Sequence, residues 1–122
     1  MPSAEYHRGV TDCLFCRIVA GEIPATRLHD DDLVIAIRDI NPQAPTHVLV
    51  LPVRHIASAA DLGDEDGPLL SRLFGVAAAL ADAEGLANGW RLVTNVGSDG
   101  GQSVDHLHLH LLGGRAMGWP PG

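Results

Sequence analysis

A chain of 122 residues with 46% apolar and 19% charged side chains has room for one compact domain, and its length argues against a repeat array or a two-domain architecture. Eight basic against fifteen acidic residues leave a formal charge of −7, which opposes non-specific attraction to nucleic acid or anionic lipid, so an anionic substrate needs a local pocket of donors. No apolar run approaches the roughly 20 residues that span a bilayer, and Met1 to Val10 lacks the blocks of a secretion signal, so no membrane partner is expected and the expected compartment is the cytoplasm.

In chain order, residues 1–10 are polar and aperiodic and read as a flexible lead to a single domain over 11–122. A short helix is predicted from a cap at Thr11 or Asp12 to a stop at Gly21, with Cys13 and Cys16 in its opening turns. Ala25 to Ile37 reads as two strands around an Asp30-Asp31-Asp32 turn, with Asp39 at the following corner. His47 to Leu51 is a further strand, closed by Pro52. Between Asp64 and Glu84, Leu69, Leu70, Leu73, Phe74, Ala77, Leu80 and Ala81 recur at helical spacing up to Gly85, which predicts one long helix. Gly89 to Val96 alternates as a strand, the loop Gly97-Ser98-Asp99-Gly100-Gly101 follows, and His106 to Leu112 is the last strand. Residues 113–122 form a Pro- and Gly-rich arm bearing Trp119. The predicted fold is α+β: an antiparallel sheet of about five strands with one long and one short helix.

His106, His108 and His110 alternate with Leu107, Leu109 and Leu111, so in an extended segment the three imidazoles share one face while the leucines enter the core. Rings at roughly 7 Å spacing repel one another when protonated, which favours neutral imidazoles near pH 7, and a neutral imidazole is both nucleophile and metal ligand. A plain solvent-facing row of polar residues is the bland alternative; three histidines in register beside a glycine-rich loop argue against it. In that loop Gly101 lets backbone N–H groups approach phosphate oxygens, and Gln102 and Ser103 add side-chain donors.

His106 to Leu112 matches the histidine-triad motif, His-x-His-x-His followed by two apolar residues, and the chain resembles the nucleotide-binding histidine-triad superfamily. The likeness extends through the segments beginning at Asp12, Asp39, Pro52 and Gly97, and the ending Gly113-Gly114-Arg115 with Trp119 to Gly122 points to its Hint-type branch, the purine nucleoside phosphoramidate hydrolases. The resemblance implies that His108 attacks the α-phosphorus to give a nucleotidyl-histidine that water hydrolyses. It implies that His110, His47 and Ser103 assist, that Asp39 meets the ribose, and that Phe15, Ile18 and Ile40 surround the base. Asn95 is a further polar contact, and Trp119 reaches toward a partner's site. It also implies a homodimer with the long helix and the strand around Leu92 to Val96 at the interface, the small residues Gly75 to Ala79 permitting close packing.

Cys13 and Cys16 alone fit a zinc site or a redox pair, and two thiolates need two further ligands to close a tetrahedron. In cysteine-bearing relatives of the triad family the positions matching Cys13, Cys16, His55 and His106 hold a structural zinc, which makes Zn²⁺ the expected cofactor. His7 and His29 match no motif and read as surface residues. Three other functions fit the same residues less well: a dinucleoside polyphosphate hydrolase, a purine-nucleotide-binding module with little chemistry, and a metal or redox protein.

Overall fold

The protein is described by a computed structural model over residues 12–122. The expected flexible lead, the Thr11 cap and His7 lie outside the described residues. The chain forms helix α1 (Leu14–Val19), strands β1 (Arg27–Asp30), β2 (Val34–Arg38) and β3 (Thr46–Pro52), helix α2 (Gly67–Ala83), and strands β4 (Trp90–Val93) and β5 (Leu109–Gly113). The five strands make one antiparallel sheet in the order β1-β2-β3-β5-β4.

Alternation divides the apolar residues between two cores. Val34, Ala36, Val48, Val50, Leu107, Leu109 and Leu111 face α2, whose buried stripe is Leu73, Val76, Ala77 and Ala81. Ile35, Ile37, Leu49 and Leu51 face the other way, onto Phe15, Cys16 and Ile18 of α1. With both faces covered, β2 and β3 read as continuous apolar runs instead of alternating ones. Arg38 on β2 donates two hydrogen bonds to Glu84 at the end of α2, at 2.8 and 2.9 Å, and this bidentate pair ties the helix end to the sheet. At the β1–β2 turn the Asp31 carboxylate accepts the backbone N–H groups of Leu33 and Val34 at 2.7 and 2.9 Å, and also meets His29 and Arg72. His29, expected at the surface, is therefore half-buried in an ionic cluster.

Several boundaries differ from expectation for local reasons. The first helix is capped by Cys13 and not by Asp12, because the Cys13 thiol accepts the Cys16 N–H at 3.3 Å. A short 3₁₀ turn, Asp64–Asp66, precedes α2, so the helix proper begins at Gly67. β4 stops at Val93; the next residue turns its hydroxyl onto the His108 carbonyl at 2.9 Å, so Thr94 to Val96 leave the ladder. The last ladder begins only at Leu109: Leu107 N–H donates to Ile56 O, which places His106 to His108 on the rim of the sheet.

The loop before the histidines is closely packed on itself. Asn95 Nδ2 donates to Gly100 O at 2.7 Å, and a Cβ at Gly100 would lie 2.3 Å from the Val96 carbonyl oxygen, a distance that only backbone movement relieves. Gly100→Ala is expected to cost on the order of 2 kcal/mol in urea unfolding. An unchanged midpoint would show that the loop tolerates a side chain there.

Candidate functional site

The two ends of the His106–His110 segment face different partners. At the first end, His106 is fully buried and its Nε2 donates to Pro52 O at 2.8 Å, which leaves the unshared pair on Nδ1. That atom lies 3.4 Å from Cys13 Sγ and 3.5 Å from Cys16 Sγ, while His55 Nδ1 lies 3.3 Å from Cys16 Sγ. All four donor atoms fall within 4.8 Å of one another. A tetrahedral zinc with bonds of about 2.3 Å to sulfur and about 2.0–2.1 Å to nitrogen separates S from N by roughly 3.5 Å, and these three S···N separations match that edge. The carbonyl behind His106 is the outer partner that fixes a ligating ring. Burial, then the neighbouring Cys13 thiol, pushes the Cys16 thiol up to about 12, so ionising Cys16 calls for a nearby cation.

His108 sits in the middle, 4% exposed, with its Nδ1–H donating to the His106 carbonyl at 2.7 Å. Its unshared pair is therefore on Nε2. The Phe15 ring meets it edge-on at a centroid distance of 4.9 Å and also touches His106 at 5.9 Å, which holds the two rings in place.

At the far end His110 faces His47 across the β3–β5 ladder. The Gln43 N–H donates to His47 Nδ1 at 3.0 Å, so neutral His47 carries its proton on Nε2. That nitrogen lies 2.9 Å from His110 Nδ1, so His47 donates and His110 in turn holds a proton on Nε2. Burial, followed by the neighbouring rings of His108 and His47, lowers the His110 pKa to about 4; burial also lowers that of His47 against the opposing pull of Asp39. Repulsion between rings, the expected reason for neutrality, thus ranks behind desolvation. Three chemically identical side chains consequently present a ligand pair, a nucleophilic pair and an N–H donor.

Asp39, His47 and His110 also bring donor atoms within metal-binding distance. The tautomers argue against an ion there, because the Gln43 amide occupies His47 Nδ1 and leaves a proton, not a lone pair, on the nitrogen facing the other two.

A cleft of about 240 Å³ opens beside His108 and His110. Of the residues expected around a nucleotide it gathers Phe15, Ile18, Asp39, Ile40, Ser103, His108 and His110, with Ile40 standing 99% exposed at its mouth. Asp39 Oδ1 accepts the Asn41 N–H at 2.8 Å, serving as the turn acid, while Oδ2 lies 3.4 Å from His47 Nε2. Ile23, Ala25, Ile37, Leu49 and Val104 complete the apolar wall, and sequence reading missed them as site residues. The alternation of β2 and β3 carried a signal for two of these, since Ile37 and Leu49 share the face of His110.

The remaining expected contacts are not among the residues lining the cleft. Both Gln102 Nε2 protons go to backbone carbonyls, of Ala57 at 2.7 Å and Val104 at 3.0 Å, and its Oε1 accepts the Gly97 N–H. Gln102 therefore braces the loop and has no free donor for phosphate; Asn95 braces it in the same way. Gly101, at φ +78°, provides the left-handed turn that brings Ser103 to the cleft edge. Trp119 is 87% exposed on an arm that Arg91 holds through the Gly118 carbonyl at 2.8 Å, away from the cleft of its own chain.

The family model described as the scavenger mRNA decapping enzyme C-terminal binding domain matches residues 12–118. An uncharacterized HIT-like protein of Synechococcus elongatus is 49% identical over 111 residues, 91% of this chain and 97% of that protein. A HIT family hydrolase from Legionella pneumophila is similar in structure, with a TM-score of 0.88 and 58% identity over 90% of this chain and 99% of that one. A histidine triad nucleotide-binding protein from Candida albicans gives a TM-score of 0.76 at 32% identity, covering 90% and 84% respectively. With the His-x-His-x-His segment, the five-stranded sheet and these relatives in agreement, the chain belongs to the histidine triad superfamily.

Proposed function

We propose that this protein is a hydrolase that cleaves nucleoside 5′-phosphoramidates to a nucleoside monophosphate and an amine through a nucleotidyl-histidine. One observation carries the reading: the bond from His108 Nδ1–H to the His106 carbonyl leaves the Nε2 lone pair on a ring that lines an apolar cleft. As Nε2 attacks phosphorus the imidazole becomes cationic, and the same hydrogen bond strengthens as charge develops, so it favours the transition state over the resting ring. The P–N bond breaks and the leaving amine takes a proton, for which Ser103, exposed at the cleft edge, is the adjacent hydroxyl. Neutral His110 offers its Nε2–H to a phosphate oxygen, with His47 behind it. Water then forms the new P–O bond, the Nε2–P bond breaks, and His108 recovers its lone pair as the water proton returns to the Ser103 oxygen, restoring its hydroxyl. Asp39 Oδ2 is the acceptor for ribose hydroxyls, and Phe15, Ile18 and Ile40 hold the base by shape.

The cysteine–histidine cluster is assigned to structural zinc held by Cys13, Cys16, His55 and His106. When bound, the metal supplies a cross-link between α1, the segment after β3 and the start of the triad. For the assembly we take a homodimer: β4 is an edge strand, and the large apolar residues Phe74 on α2 and Trp90 on β4 are 53% and 42% exposed.

His108→Asn is expected to lower turnover of an adenosine phosphoramidate by at least about 10³-fold with nucleotide affinity within about threefold, and to abolish the covalent adduct seen by mass spectrometry. Undiminished turnover would remove the mechanism.

The His110 pKa is lowered on folding, so its stabilising contribution is complete above about 6.5 and is lost as pH falls from there toward 4. Between pH 7 and pH 5 the protein should lose on the order of 2 kcal/mol more in urea unfolding than the His110→Gln variant. Equal losses would refute the buried neutral ring.

Purified protein should carry about one zinc per chain by elemental analysis, and a strong chelator should lower Tm by at least ~5 °C. Metal-free protein with an unmoved Tm would end the zinc assignment.

A further inference from the structure

Seven arginines lie among the described residues. Arg17, Arg27, Arg38, Arg54 and Arg72 pair with carboxylates, whereas Arg91 and Arg115 bond there only to backbone carbonyls. In a chain with nearly twice as many acids as bases, a guanidinium held by carbonyls is placed by geometry and not by charge. Arg115 Nε donates to Gln43 O at 3.0 Å. Gln43 is the residue whose N–H sets the His47 tautomer, and its own side chain donates to Asn41 O at 3.0 Å. The approach is close on the chain beside Arg115 as well: Gly114 has φ +88°, and a Cβ there would come within 2.9 Å of Pro45 Cβ. The start of the C-terminal arm is thus pressed onto the loop between β2 and β3, with Arg115 gripping the residue whose N–H meets His47 Nδ1.

We propose that Arg115 is a positioning residue for the reaction: by fixing Gln43 it holds the Gln43 N–H on His47 Nδ1, and so keeps an N–H, in place of a lone pair, on the face that His110 presents to the phosphate. The inference rests on the phosphoramidate reading for its kinetic consequence and on geometry alone for the tautomer. Without the grip, Gln43 is free to turn its N–H away, His47 can move its proton to Nδ1, and the relay reverses. A reversed His110 places a lone pair against an anionic oxygen, which removes a donor and adds repulsion in the transition state. Substrate binding, dominated by the apolar cleft and Asp39, changes little.

The test uses the full chain labelled with ¹⁵N at histidine. In the wild type the His47 shifts should report Nε2–H. In Arg115→Ala, and in Arg115→Met, which keeps the aliphatic stem, a substantial Nδ1–H population should appear; kcat should fall about tenfold with KM within twofold. Arg115→Lys, which restores a donor to the Gln43 carbonyl, should recover most of both signals. Retention of the Nε2–H signature in folded Arg115→Met overturns the proposal, whatever happens to the rate. Should the wild type fail to hydrolyse phosphoramidates at all, the functional reading falls while the tautomer comparison in the free protein still decides the role of Arg115.

Discussion

The antiparallel pairing of β3 with β5 is the constraint on which the site depends. Its register sets His47 opposite Leu112 and Leu49 opposite His110, so His47 and His110 lie on one face, one diagonal step apart, with their ring nitrogens at 2.9 Å. A slip of a single residue would send every histidine to the α2 side and every leucine to the cleft. The slip is costly because both sides are apolar and filled: Val48, Val50, Leu109 and Leu111 pack beneath α2, and Leu49 and Leu51 pack beneath α1. Packing therefore holds the histidine geometry in register, and no polar contact has to carry it alone.

Within that frame, chemical differentiation comes from single hydrogen bonds to main-chain atoms. The carbonyls of Pro52 and His106 and the amide of Gln43 each decide which nitrogen of a nearby ring bears the proton. Main-chain groups suit this task because they do not change protonation state and move only with the backbone, and burial lowers the pKa of His47, His106 and His110, so that at those rings the tautomer is the variable that matters. Two clusters with comparable distances then divide cleanly. Around Cys13 the lone pairs converge, whereas around Asp39 they do not.

Much of the architecture was legible in the chain because alternation is a direct record of which face is buried. His106, His108 and His110 against Leu107, Leu109 and Leu111 gave the sidedness of the last segment, and the i, i+3, i+4 spacing from Leu69 to Ala81 gave α2. The four cysteine and histidine donors came from the family likeness, since Cys13 and Cys16 are 39 residues or more from His55 and nothing local links them. What could not be read depended on backbone groups, which carry no residue identity. Sequence shows Gln102 and Asn95 as polar, but not that their amides are already engaged by carbonyls of their own loop. It places Gln43 and Arg115 72 positions apart, with no periodicity to join them. Strand ends failed for a similar reason: a side chain turning onto a carbonyl, as at Thr94, ends a ladder without any change in composition.

Phe15 belongs to three structures at once: the wall of the cleft, the packing of α1 on the sheet, and the edge contacts to His106 and His108. A mutation that reshapes this ring also disturbs the His108 imidazole and the His106 ring beside the thiols. A change of cleft shape at this position is therefore pleiotropic. The same cleft is lined by Ile23, Ala25 and Ile40, which make none of those ring contacts, so its shape can change there at less cost to the histidines.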